Sequence, residues 1–61
     1  MEVYMLPKDP ILLVSYVNTQ LRDNYPTLEE FARAEDVEAS DIINTLKKVN
    51  YVYKKELNQF K

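Results

Sequence analysis

The side chains best suited to chemistry gather at the C-terminal end, where Lys47, Lys48, Lys54, Lys55 and Lys61 are interleaved with Tyr51, Tyr53 and Phe60. Ammonium groups can follow a phosphate backbone while rings stack on bases, so the pattern resembles a platform for single-stranded nucleic acid. The plainer reading is a solvated basic surface over rings that belong to a core. A second cluster is acidic. Glu35, Asp36, Glu38 and Asp41 lie close together, and gathered carboxylate oxygens suit calcium or magnesium. The glycine turn and the ligand spacing of an EF-hand loop are missing, however. Glu38 and Asp41 also flank a helix start, where negative charge meets free backbone donors and the positive end of the dipole. Capping and solvation account for them better than a metal does, and no metal or cofactor is expected.

Enzyme chemistry lacks its parts. Ser15, Thr19, Thr27, Ser40 and Thr45 offer hydroxyls, but the chain contains neither histidine nor cysteine, and the serine and lysine positions give no recognised dyad spacing. Glycine is absent as well, which removes the loops that cradle phosphates and dinucleotides through close backbone approach. A non-enzymatic protein is expected. Without cysteine, redox chemistry sets no constraint on compartment.

These side chains must be positioned by a chain of 61 residues, enough for a single domain over residues 1–61 with one core. At 46% hydrophobic and 30% charged, with no repeats, the composition is that of a folded domain. The net charge of −2 hides an asymmetry. Residues 27–46 set Arg33 against Glu29, Glu30, Glu35, Asp36, Glu38 and Asp41 for −5, whereas residues 47–61 set five lysines against Glu56 for +4. The first ten residues hold one lysine and two acids, and the apolar run from Ile11 to Val14 is too short for a signal h-region or a membrane span. The expectation is a cytoplasmic, unprocessed protein with no membrane contact.

Along the chain the pattern predicts a mainly α domain: an extended segment over 1–8, three helices within 9–49 and a small β-hairpin over 51–61. Asp9 followed by Pro10 is a helix start, with a carboxylate to accept from orphan donors and a proline suited to the first turn. The first helix should run from Pro10 to about Asp23 and carry a broad apolar arc of Leu12, Leu13, Val14, Tyr16, Val17 and Leu21. Pro26 drives Tyr25 out of the α region. Thr27 to Glu30 then fits a capping box, in which hydroxyl and carboxylate serve each other's backbone. Leu28, Phe31 and Ala32 give the second helix its buried stripe. Val37 plugs the following turn, and Ala39 to Val49 forms the third helix, with Ile42, Ile43, Leu46 and Val49 inward. Asn50 stands where a left-handed terminator belongs. If Lys55 to Asn58 form a four-residue loop, Tyr53 lies opposite Phe60, whereas a three-residue loop would pair Lys54 with Phe60. The first register places the aromatics together and is preferred. Val3 to Leu6 could add a third strand.

The order of these pieces resembles a family of very short bacterial proteins known as domain of unknown function 4250. The resemblance rests on Leu6-Pro7-Lys8-Asp9-Pro10, Val17-Asn18-Thr19-Gln20-Leu21-Arg22-Asp23, Tyr25-Pro26-Thr27-Leu28, and Tyr51-Val52-Tyr53 through Glu56-Leu57-Asn58-Gln59-Phe60. Four residues precede Met5, and Asn50 stands where such proteins would have glycine. The resemblance implies a bacterial source, and neither an activity nor site residues.

Two interaction surfaces follow. Helices 2 and 3 sketch a helix-turn-helix with the hairpin as a wing, which would make Lys47, Lys48, Lys54, Lys55 and Lys61 a nucleic-acid surface. Glu38, Ala39, Ser40 and Asp41 at the tip of helix 3 argue against it, because phosphate would repel them. The broad arc of helix 1 is the stronger candidate. Burial under the other helices and the hairpin would consume all of it. If part stays open, Leu12, Tyr16 and Gln20 mark a surface for a protein partner or a second copy. Gln20 favours the open version, since full burial would demand hydrogen-bond partners for its amide. The sequence thus favours a protein-interaction module or small homodimer, with nucleic-acid binding as the alternative.

Overall fold

The computed structural model describes residues 6–61. Three helices, α1 (Pro10–Asp23), α2 (Leu28–Glu35) and α3 (Ala39–Lys47), are followed by two short strands, β1 (Tyr53–Lys54) and β2 (Gln59–Phe60). The mainly α architecture with a terminal hairpin is therefore as expected.

Each helix boundary has a chemical cause. Asp9 caps α1 by accepting from the Ile11 N–H at 2.9 Å, with Pro10 in the first turn. Thr27 caps α2 by accepting from the Glu30 N–H at 3.1 Å. The expected return half of that box does not form. The Glu30 carboxylate instead lies 3.9 Å from the Arg33 guanidinium, on the solvent side. Glu38 begins α3 without a side-chain cap bond.

Helices α2 and α3 stop in the same way, and the likeness is informative in a chain without glycine. Asp36 takes the left-handed conformation at φ 59, its N–H donates to the Arg33 carbonyl, and the Val37 N–H donates to the Ala32 carbonyl. Asn50 repeats this at φ 69, with Asn50 donating to Lys47 and Tyr51 to Leu46. These are paired Schellman bonds, each setting an apolar residue past the turn against one inside the helix. The terminator at Asn50 is as expected, but regular α3 ends at Lys47 rather than Val49. The Val49 N–H donates to the Leu46 carbonyl, so the last turn is tightened toward 3₁₀ geometry before the chain reverses.

The core joins Leu13, Val14, Val17 and Leu21 of α1 to Leu28, Phe31 and Ala32 of α2, Ile42 and Leu46 of α3, and Phe60 of β2. Val37 packs partly buried against it, as expected of a plug. One inward assignment is corrected: Ile43 is 38% exposed and does not belong to the interior. Leu12, whose burial the width of the arc left open, is 60% exposed. The neighbours of α1 cover the part of its arc centred on Val17 and leave the edge at Leu12 open, and Ile42 with Leu46 already fills the inward side of α3.

The hairpin adopts the preferred register, Tyr53 opposite Phe60 and Lys54 opposite Gln59, around a loop of Lys55 to Asn58. Val52 and Lys61 extend the ladder by exchanging both backbone bonds, at 3.1 and 2.9 Å. So short a ribbon is marginal alone and must be held by what lies beneath it. For the strand expected at Val3 to Leu6, residues 3–5 lie outside the described residues, and Leu6 is not in a strand but packs partly buried against the core.

Candidate functional site

The outer surface of α1 and the basic hairpin are the two places where the sequence puts interaction chemistry. On α1, Leu12 and its neighbour Ile11 stand open to solvent, at 60% and 56% exposure. Tyr16, one turn on, is half-buried, with its ring edge-on to Phe31 at a centroid distance of 6.1 Å. Phe31 takes Tyr25 edge-on as well, at 5.5 Å, so the ring nearest the open surface is anchored from behind. Gln20 is half-buried and its side-chain oxygen accepts from the Asn24 amide at 2.9 Å. The oxygen of the Gln20 amide is thus satisfied within α1 and its C-cap, at the rim of the helix.

At the other end all five lysines are exposed: Lys47 and Lys48 at the close of α3, Lys54 on β1, Lys55 in the loop and Lys61 after β2. The rings among them have structural employment. Phe60 is buried, Tyr53 packs against it at 5.3 Å, and Tyr51 is half-buried against the core. The Tyr53 hydroxyl donates to Asn58 Oδ1 at 2.6 Å and accepts from the Leu28 N–H at 3.3 Å, which ties the ribbon to the start of α2. The structure therefore leaves the five lysines exposed and turns Tyr53 and Phe60 inward.

Sequence reasoning missed the two residues that seat the hairpin. Asn18 of α1 accepts from the Phe60 N–H at 2.8 Å and donates to the Phe60 carbonyl at 3.0 Å, so its amide takes the place of a neighbouring strand. Asn58 takes the left-handed conformation at φ 51 and donates to the carbonyls of Leu21 and Tyr25, at 3.1 and 3.0 Å. Those carbonyls stand where α1 runs out, so the loop satisfies backbone groups that a helix end leaves unpaired. A groove of about 610 Å³ runs along this seam, lined by Ser15, Asn18, Thr19, Arg22, Leu57 and Gln59 among others. Arg22, the charged residue among the described ones that line it, is paired with Asp23 at 2.9 Å; the hydrogen bond raises the guanidinium pKa and lowers that of the carboxyl.

Of the acidic run, Asp36, Glu38 and Asp41 line a second depression of about 630 Å³ between α2 and α3, together with Glu29, Arg33, Ala32, Val37 and Ala39. Among the described residues no group of acids is arranged to hold a metal ion, and no helix is long and apolar enough to cross a membrane. Two of the hydroxyls serve the backbone: Thr19 donates to the Ser15 carbonyl and Thr27 caps α2.

Fold and surface together define a small three-helix domain closed by an amide-pinned hairpin. The family model for domain of unknown function 4250 (DUF4250) matches residues 7–60, and the chain belongs to that family. No curated protein and no solved structure matches it.

Proposed function

We propose that this domain works by protein association rather than catalysis, as a small homodimer or on a protein partner in a bacterial cytoplasm. The surface is the open edge of α1 at Leu12, with Tyr16 and Gln20 beside it. One observation carries the reading: two adjacent aliphatic side chains, Ile11 and Leu12, are each more than half exposed at the start of a helix whose other apolar residues are largely covered. Contiguous apolar surface of this kind gains free energy by leaving water, at about 25 cal/mol per Å². Light scattering after gel filtration tests the self-association version. A dimer mass at high micromolar concentration is expected, with Leu12→Asp returning the chain to a monomer of unchanged melting temperature. A wild-type chain that stays strictly monomeric removes the dimer, and a Leu12→Asp variant that still dimerises moves the interface elsewhere.

The exposure of all five lysines favours a second reading, nucleic-acid binding through Lys47, Lys48, Lys54, Lys55 and Lys61. Such binding must weaken steeply with salt because it releases counterions. Titration with single- and double-stranded oligonucleotides at low salt decides it, and absence of binding there ends that reading.

A further inference from the structure

The two edges of the hairpin are treated differently. In an antiparallel ladder the residues alternate between pairs that exchange both backbone bonds and pairs that exchange none. Val52 and Lys61 form a bonded pair. The next pair, Tyr53 with Phe60, must therefore turn its N–H and C=O groups outward on both strands. On β2 those outward groups meet the Asn18 amide. On β1 the N–H and C=O of Tyr53 meet no partner among the described residues. The chain closes one edge and leaves the other open.

The chemistry beside the open edge is specific. Val52 and Lys54 share the solvent face, Val52 being 50% exposed, while Tyr53 turns to the core. Lys47, Lys48 and Lys55 add positive charge before and after the strand. Lysine on an edge ordinarily discourages pairing with another basic or neutral strand. The same charge attracts an acidic one, and the +4 carried by residues 47–61 supplies that complementarity.

We infer that the β1 edge receives an extended acidic segment of a partner protein as a third, antiparallel strand that exchanges both backbone bonds with Tyr53. Antiparallel running order fixes the recognition pattern. The residue beside Lys54 comes first and is acidic, the residue opposite Tyr53 is small because its side chain turns toward the helices, and the residue beside Val52 is apolar. Backbone bonds supply affinity, and the alternating side chains supply selectivity. This surface is separate from the α1 edge and does not depend on it.

The test is a titration of isotope-labelled domain with a capped heptapeptide carrying glutamate, alanine and valine in that order, followed by amide spectra and hydrogen exchange. Saturable shifts at Val52, Tyr53 and Lys54 are expected, with exchange of the Tyr53 amide slowed about tenfold in the complex. Affinity should fall about tenfold on raising salt or in Lys54→Glu, whose melting curve confirms folding. Methylating the peptide's alanine nitrogen, which keeps every charge but removes the donor to Tyr53, should abolish binding. Leu12→Asp should leave the titration unchanged. Undiminished binding of the methylated peptide, an unprotected Tyr53 amide, or binding of a single-stranded oligonucleotide with no binding of the peptide would each overturn the inference.

Discussion

The helical core and the hairpin seam are held by different physics. Val17, Phe31 and Leu46 have no exposed surface, and among the described residues no charged or polar residue is buried with them. Such packing is non-directional, and many side-chain arrangements of the right volume would satisfy it. The seam relies on two neutral amides: Asn18 both donates to and accepts from Phe60, 42 residues away, and Asn58 donates to the carbonyls of Leu21 and Tyr25, 37 and 33 residues away. Each bond is directional, and a misplaced partner leaves a polar group stranded. In this domain apolar burial determines that the helices collapse, while the two amides determine where the ribbon sits on them.

The first way to break this contrast is in the core. Leu46→Ala removes a side chain with no exposed surface, and should cost about 2 to 5 kcal/mol. That is a large share of the stability of so small a domain. Urea denaturation should show the loss directly, and an unchanged midpoint would contradict the core assignment.

The next largest effect belongs to the seam. Asn58→Ala removes two donors from the carbonyls of Leu21 and Tyr25 and the acceptor of the Tyr53 hydroxyl, at a cost of about 1 to 3 kcal/mol. It also puts alanine at a positive φ, which adds to the loss. Asn58→Asp sharpens the point through pH. A carboxylate facing two carbonyl oxygens is disfavoured in the folded state, so the pKa of the introduced acid rises above its unfolded value. The substitution should therefore harm most at neutral pH, and part of the loss should return as pH falls through that raised pKa, because the protonated acid regains one donor. A variant equally stable at neutral and acidic pH would show that the amide's donors are not what hold the loop.

The difference between the regions also explains what the sequence made legible. Asp9-Pro10, Tyr25-Pro26 and Thr27 are local signals, and they place α1 and the start of α2 correctly because a cap and its helix are neighbours in the chain. The register of Tyr53 with Phe60 follows from strand alternation once the loop length is chosen. Asn18 gave no such signal. It lies on the polar side of α1 by periodicity, and its partner Phe60 is 42 residues away. Asn58 read only as one of four loop residues, although asparagine's tolerance of positive φ, used for Asn50, applies equally to it. The outward edge at Leu12 was unreadable for another reason: periodicity says which residues are apolar, not how wide a face the neighbours will cover. The candidate surfaces were thus named from the sequence, whereas their openness came from packing.

Between core and seam in kind, but smaller than both in size, is the cap of α2. Thr27→Ala deletes one acceptor for the Glu30 N–H and should cost about 1 kcal/mol, within a range of about 0.5 to 2. Thr27→Ser should recover most of it, since serine caps at least as well. Because Leu28 beside the cap is buried and its N–H also serves Tyr53, the Ala change should loosen the hairpin too. Faster hydrogen exchange at Phe60 in Thr27→Ala, absent from Thr27→Ser, is the expected readout.

The smallest effect is expected at the rim, where charge replaces both packing and buried amides. Asp23 is held below the ordinary carboxylate range chiefly by the hydrogen bond from Arg22. The sign follows from linkage: a depressed folded pKa gives a stabilising contribution that is present above the unfolded value and disappears as pH falls through the lower, folded one. Both side chains lie in water, however, so solvent screens the interaction and little stability depends on it. Arg22→Gln should leave the thermal midpoint near that of the parent at neutral pH, and any residual difference should vanish in acid once Asp23 is protonated in both. A loss comparable to that of Asn58→Ala would mean that the exposed ion pair, and not the amides, anchors the end of α1 from which the hairpin hangs.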